Sequence, residues 1–138
     1  MKLLINLDVD DLARGTDFYV RGLGLTAGRR FGDSFVELLG ASSPIYLLVK
    51  APGTLPFAEA PGRDYRRHWT PVHVDFVVDD LDEAVHRALE AGARIEGAIV
   101  TRKWGRMANL SDPFGHGLCL LQFTGRGYDE LLAPDEPA

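Results

Sequence analysis

A chain of 138 residues with 15 Lys+Arg against 20 Asp+Glu carries a formal charge of −5 and a pI near 5.3, which argues against DNA or RNA as a partner because the basic face they require is missing. With 46% apolar and 25% charged residues, the composition is that of one globular domain with a substantial core, not of a disordered chain. The one cysteine, Cys119, permits no internal disulfide and no cysteine zinc cluster, which suits a reducing compartment, so a cytoplasmic location is expected.

The opening stretch Leu3-Leu4-Ile5-Asn6-Leu7 reads as a first strand, since Asp8, Asp10 and Asp11 stop the apolar run short of the roughly 7–15 residues of a signal-peptide core. No apolar stretch approaches the roughly 20 residues of a membrane span, so no membrane partner is expected. Val9-Asp10-Asp11-Leu12 recurs as Val78-Asp79-Asp80-Leu81, dividing the chain into two equivalent halves. In each half an apolar run, Leu3 to Val9 or Val72 to Val78, leads into aspartates fit to cap a helix, because their carboxylates accept hydrogen bonds from the free N–H groups of its first turn.

The second helix follows the i, i+3, i+4, i+7, i+8 pattern through Leu81, Ala84, Val85, Ala88 and Leu89 and closes near Gly92. The first carries Leu12, Tyr19 and Leu23, contains Gly15, and ends at Gly22-Leu23-Gly24. Three β-like runs follow each helix: Thr26–Phe31, Ser34–Leu39 and Pro44–Lys50, then Arg94–Val100, Arg106–Leu110 and Gly117–Phe123. Each half therefore reads β-α-β-β-β, the two spanning 1–50 and 71–124, with a linker over 51–70 and a tail over 125–138 that reads as loosely held after Tyr128. Two such sheets side by side leave an open cup on the faces that the helices do not cover.

Paired β-α-β-β-β modules, an Asp-Leu helix start in each, and Asp112-Pro113-Phe114-Gly115-His116 before the last strand resemble the vicinal oxygen chelate superfamily of glyoxalases, bleomycin-resistance proteins and extradiol dioxygenases. Trp104-Gly105-Arg106 adds to the likeness, which covers residues 3–123. The resemblance implies an α+β fold, with two tandem modules forming a cupped mixed β-sheet and helices on its outer face, in a single domain that pairs into a homodimer. The superfamily includes lyases, isomerases, epimerases, ring-cleaving dioxygenases, thiol transferases and metal-free sequestering proteins, and a fold does not choose among them.

The superfamily's metal enzymes draw ligands from the first and last strands of both modules. Carried over by spacing from the aspartates, those positions fall on Leu4, His73 and Cys119, and alignment of the final strands of the two halves puts Tyr46 opposite Cys119. A leucine offers no donor atom, and one imidazole with one thiol is a weak set for hard divalent ions. No cofactor is therefore expected, with a divalent metal bound through His73 as the alternative.

Period-2 alternation puts Leu4, Asn6 and Asp8 on the cup face of the first strand and His73, Asp75 and Val77 on that of its repeat. His73 is the candidate catalytic or ligand-contacting group, with Asp75 and Asn6 placed to orient it or a ligand hydroxyl. Tyr46 is a candidate for stacking and hydrogen bonding, and Arg106 for an anion clamp. Trp69, with Arg63, Tyr65, Arg66 and Arg67 of the linker, forms either a lid over the cup or a solvated connector. Cys119, flanked by leucines, reads as a buried hydrophobe, and His86 and His116 as structural. The favoured function is binding of a small organic molecule in the cup without a complete metal site. A metal-dependent glyoxalase-like lyase, isomerase or dioxygenase using His73 is the alternative, and a pocketless interaction module a third reading.

Overall fold

A computed structural model describes residues 1–132 and 134; the remainder of the tail lies outside the described residues. In chain order the elements are β1 (Ile5–Val9), α1 (Leu12–Asp17) running into a π-helical turn (Phe18–Gly22), β2 (Thr26–Phe31), β3 (Phe35–Leu39) and β4 (Ile45–Val49), then β5 (Val74–Val77), α2 (Leu81–Glu90), β6 (Arg94–Ile95), β7 (Val100–Arg102), β8 (Gly105–Ser111) and β9 (Gly117–Phe123), with a 3₁₀ turn at Gly127–Leu131. The first sheet has the order β1-β4-β3-β2 and the second β5-β9-β8-β6, with β7 also pairing β8. β1 runs parallel to β4 and β5 parallel to β9, so the two halves repeat one topology.

Both repeated aspartates cap as their sequence suggests. Asp11 Oδ1 accepts from the Arg14 amide at 3.0 Å and Asp80 Oδ1 from the Glu83 amide at 3.1 Å, each satisfying an N–H that has no partner within its helix. Gly92, at φ +115, closes α2 with bonds from Gly92 N to Leu89 O and from Ala93 N to Ala88 O. The first helix exits through the same kind of turn made one residue wider, Gly24 N bonding Val20 O and Leu25 N bonding Tyr19 O, which matches its π-helical last turn. Gly15 lets α1 lie close on its sheet: a Cβ there would come within 3.2 Å of Leu47 and 3.3 Å of Val9.

One core serves both halves. Val9, Phe18, Leu38 and Leu47 of the first half are buried with Leu81, Ala88, Leu110 and Leu120 of the second, and a Cβ on Gly22 would sit 2.8 Å from the Ala91 methyl where the two helical segments meet. Each module's apolar face is thus covered partly by the other module.

Two expectations need correction. The run 94–100, read as one strand, is two short strands, β6 and β7, both paired with β8 and separated at Gly97, whose φ of +79 breaks the extended backbone. Arg106 does not reach the cup. It alternates with Ala108 and Leu110, both fully buried in the core under the helices, and its guanidinium forks onto Asp82 of α2 at 3.1 and 2.9 Å.

Candidate functional site

Register assembles the candidate site on the second sheet. Asp75 and Cys119 are direct partners across β5 and β9, and Cys119 faces Asn109 across β9 and β8, so one row of side chains crosses the cup face, with His73 two residues before Asp75. His73 Nδ1 lies 2.8 Å from Asp75 Oδ1 and 4.0 Å from Cys119 Sγ, and the Cys119 thiol donates to Asn109 Oδ1 at 3.0 Å. Burial, reinforced by the Asp75 carboxylate, pushes the Cys119 thiol up to about 11, so it is a neutral donor at pH 7 and not a nucleophile. Trp69 stands over the imidazole with ring centroids 5.9 Å apart.

His73 lines two cavities. One, of about 340 Å³, is bounded by Trp69, Arg67, Glu96, Asn109 and Cys119. The other is a cleft of about 720 Å³ between β1, the linker, the start of β5 and the Asp112–His116 turn, with Asn6, Asp8, Tyr65 and Phe114 among its walls. Asn6 therefore shares a cavity with His73, whereas Tyr46 lines neither of the two. Tyr46 pairs with Asn6 on one side and Glu37 on the other, donates its hydroxyl to Glu37 Oε2 at 3.0 Å and accepts from Arg29 Nη2 at 3.2 Å. Arg29 also binds Glu37 through Nε, Nη2 and its amide, which holds the Glu37 carboxyl down at about 2. Glu37, Arg29 and Asn109 escaped sequence reading because only strand register brings them beside Tyr46 and Cys119.

The linker is folded onto the body by arginine–carboxylate pairs. Arg63 binds Asp8 at 2.7 Å, Arg67 grips Glu96 with two bonds at 2.7 and 2.9 Å, and the Tyr65 hydroxyl donates to Lys50 O at 2.8 Å. These arginines are engaged by protein carboxylates. Trp69, held just beyond Arg67, remains exposed beside His73.

The four positions implied by the superfamily's metal enzymes do not make a donor set. Leu4 has no donor atom, and the Tyr46 hydroxyl belongs to the Glu37–Arg29 network. A different cluster is present: ligand atoms of His73, Asp75 and Cys119 all lie within 4.8 Å of one another.

Comparison with known proteins fits this architecture. The family model of the glyoxalase-like domain matches residues 4–121, and the chain belongs to that family. Among curated relatives, the anthracycline biosynthesis protein DnrV of Streptomyces peucetius is 30% identical over 126 residues, covering 90% of this chain but 42% of its own length; the chain thus spans less than half of that relative. Two solved structures share the fold: the fosfomycin resistance protein FosX of Listeria monocytogenes (TM-score 0.70, 20% identity, 96% of this chain and 98% of that one) and TioX of Micromonospora sp. ML1 (TM-score 0.68, 22% identity, 90% and 99%).

Proposed function

We propose that this glyoxalase-like protein binds a small, largely planar aromatic molecule against His73, without the four-ligand metal centre of its enzymatic relatives. One observation carries the reading: His73, tied to Asp75 and faced by Trp69, lines both cavities. An imidazole and an indole together offer a stacking wall, and Asn109 in the smaller cavity and Asn6 in the larger supply directed bonds that fix orientation against largely apolar walls. Relatives named for anthracycline biosynthesis and fosfomycin resistance are in keeping with an organic ligand of natural-product kind. The protein acts as a homodimer in a reducing compartment such as the cytoplasm.

Trp69 reports directly on this site. Titration with planar aromatic compounds should quench its fluorescence saturably, and the quench should vanish in Trp69→Phe while Trp104 still emits. Saturable quenching that survives the substitution places the ligand elsewhere.

A second reading is favoured by the His73–Asp75–Cys119 cluster. Imidazole, carboxylate and a thiol deprotonated on binding would suit a borderline-soft divalent cation; Zn²⁺ there would supply Lewis-acid chemistry for a glyoxalase-like lyase or isomerase, and a dioxygenase would require a redox-active ion such as Fe²⁺ instead. Elemental analysis of natively purified protein separates the readings, since this one requires about one equivalent of metal that His73→Ala removes.

A further inference from the structure

The Asp112–His116 turn contains a second histidine–carboxylate pair that the function above does not use. Asp112, 5% exposed, accepts on Oδ1 from the Phe114 and His116 amides at 2.8 and 2.9 Å. On Oδ2 it accepts from the Tyr19 hydroxyl at 2.6 Å and pairs with His116 Nδ1 at 2.7 Å. A buried carboxylate bound this way cannot rotate. It fixes the neutral imidazole of His116 as the Nδ1–H tautomer, and the lone pair is left on Nε2.

Among the described residues nothing bonds to His116 Nε2, and His116 lines the 720 Å³ cleft. Ile5, Leu7, Val72 and Phe114 line the same cleft, and its Asp8 and Arg63 already bind each other. Asn6, Asp64, His68, Thr70 and His73 also line the cleft, and His116 adds to its largely apolar walls an acceptor held in place from behind by Asp112. We propose that His116, positioned by Asp112 and Tyr19, accepts a hydrogen bond from an acidic O–H of the ligand, so that the cleft selects phenols over aromatic molecules of the same shape lacking the hydroxyl. The proposal rests on the small-molecule reading above and adds to it the ligand's chemical class.

His116→Asn is the informative variant. The asparagine NH₂ can replace Nδ1–H toward Asp112, keeping the turn bonded, while the acceptor corresponding to Nε2 is lost. In calorimetric titrations 1-naphthol should bind the wild-type protein about tenfold more tightly than 1-methoxynaphthalene, as expected for one directed hydrogen bond, and in His116→Asn the two should bind alike. Equal binding of both compounds to the wild-type protein, or an unchanged preference in the variant, overturns the role of His116 and leaves the small-molecule reading standing. Binding of neither compound overturns both. Independently of folding of the variant, the ring ¹⁵N spectrum of the wild-type protein should show the neutral form of His116 protonated at Nδ1 and bare at Nε2; the opposite tautomer contradicts the proposal.

Discussion

His73 Nδ1 and Asp75 Oδ1 sit 2.8 Å apart at the start of β5, both side chains about one-third exposed at 37% and 34%. The bond joins residues i and i+2 on one face of an extended chain, so the carboxylate fixes the ring's orientation without help from the core. Replacing Asp75 by Ala, which removes the acceptor, should change the free energy of unfolding by less than about 1 kcal/mol, as for other exposed pairs. It should also weaken binding of an aromatic ligand several-fold by releasing the ring. Chemical denaturation alongside titration of the variant checks both halves.

The Glu37–Arg29 pair makes stability depend on acid. Its carboxyl is held at about 2 in the folded protein against an ordinary 4.5, so the unfolded chain binds the proton first. The contribution of the pair is complete above about pH 4.5 and is lost as pH falls toward 2. Glu37→Gln should flatten that part of the acid limb in urea titrations between pH 5 and 2. Because the Arg29 side chain is 67% exposed, added salt should shrink the difference between the two proteins.

Tyr19 connects the helical layer to the turn. Its ring is buried in the common core, and its hydroxyl bonds the Asp112 carboxylate at 2.6 Å, while burial and that negative charge drive the phenol well above its usual range. Tyr19→Phe should cost about 1.5–3 kcal/mol of stability, the range for a hydrogen bond to a charged group, as measured by urea denaturation at pH 7. A change within about 0.5 kcal/mol would mean that the bond adds nothing to folding.

Much of this structure was legible because local signals carried it. The repeat of Val-Asp-Asp-Leu located both helix starts, and the last strand of the chain runs over Gly117–Phe123 as its apolar pattern indicates. The 94–100 run was misread because its apolar ends, Ile95 and Val100, hide a left-handed glycine between them. Arg106 was assigned by residue type. Its alternation with Ala108 and Leu110 already places it on the helix face, where Asp82 takes it. The Asp112–Tyr19 bond spans 93 residues, and no local pattern announces a pairing of that separation. Tyr46 shows the same limit, since its engagement by Glu37 and Arg29 depends on a strand register that composition does not reveal.

The central claim is that ligand binding depends on His73, and a comparison of two histidines tests it most directly. His86 lies on α2 with its side chain 73% exposed, beside Glu90. For an aromatic ligand identified by titration, His73→Ala should raise the dissociation constant about tenfold, the loss expected from one directed polar contact. His86→Ala should leave it unchanged and alter stability by no more than about 0.5 kcal/mol. An unchanged affinity in His73→Ala, or a loss in His86→Ala, would contradict the account.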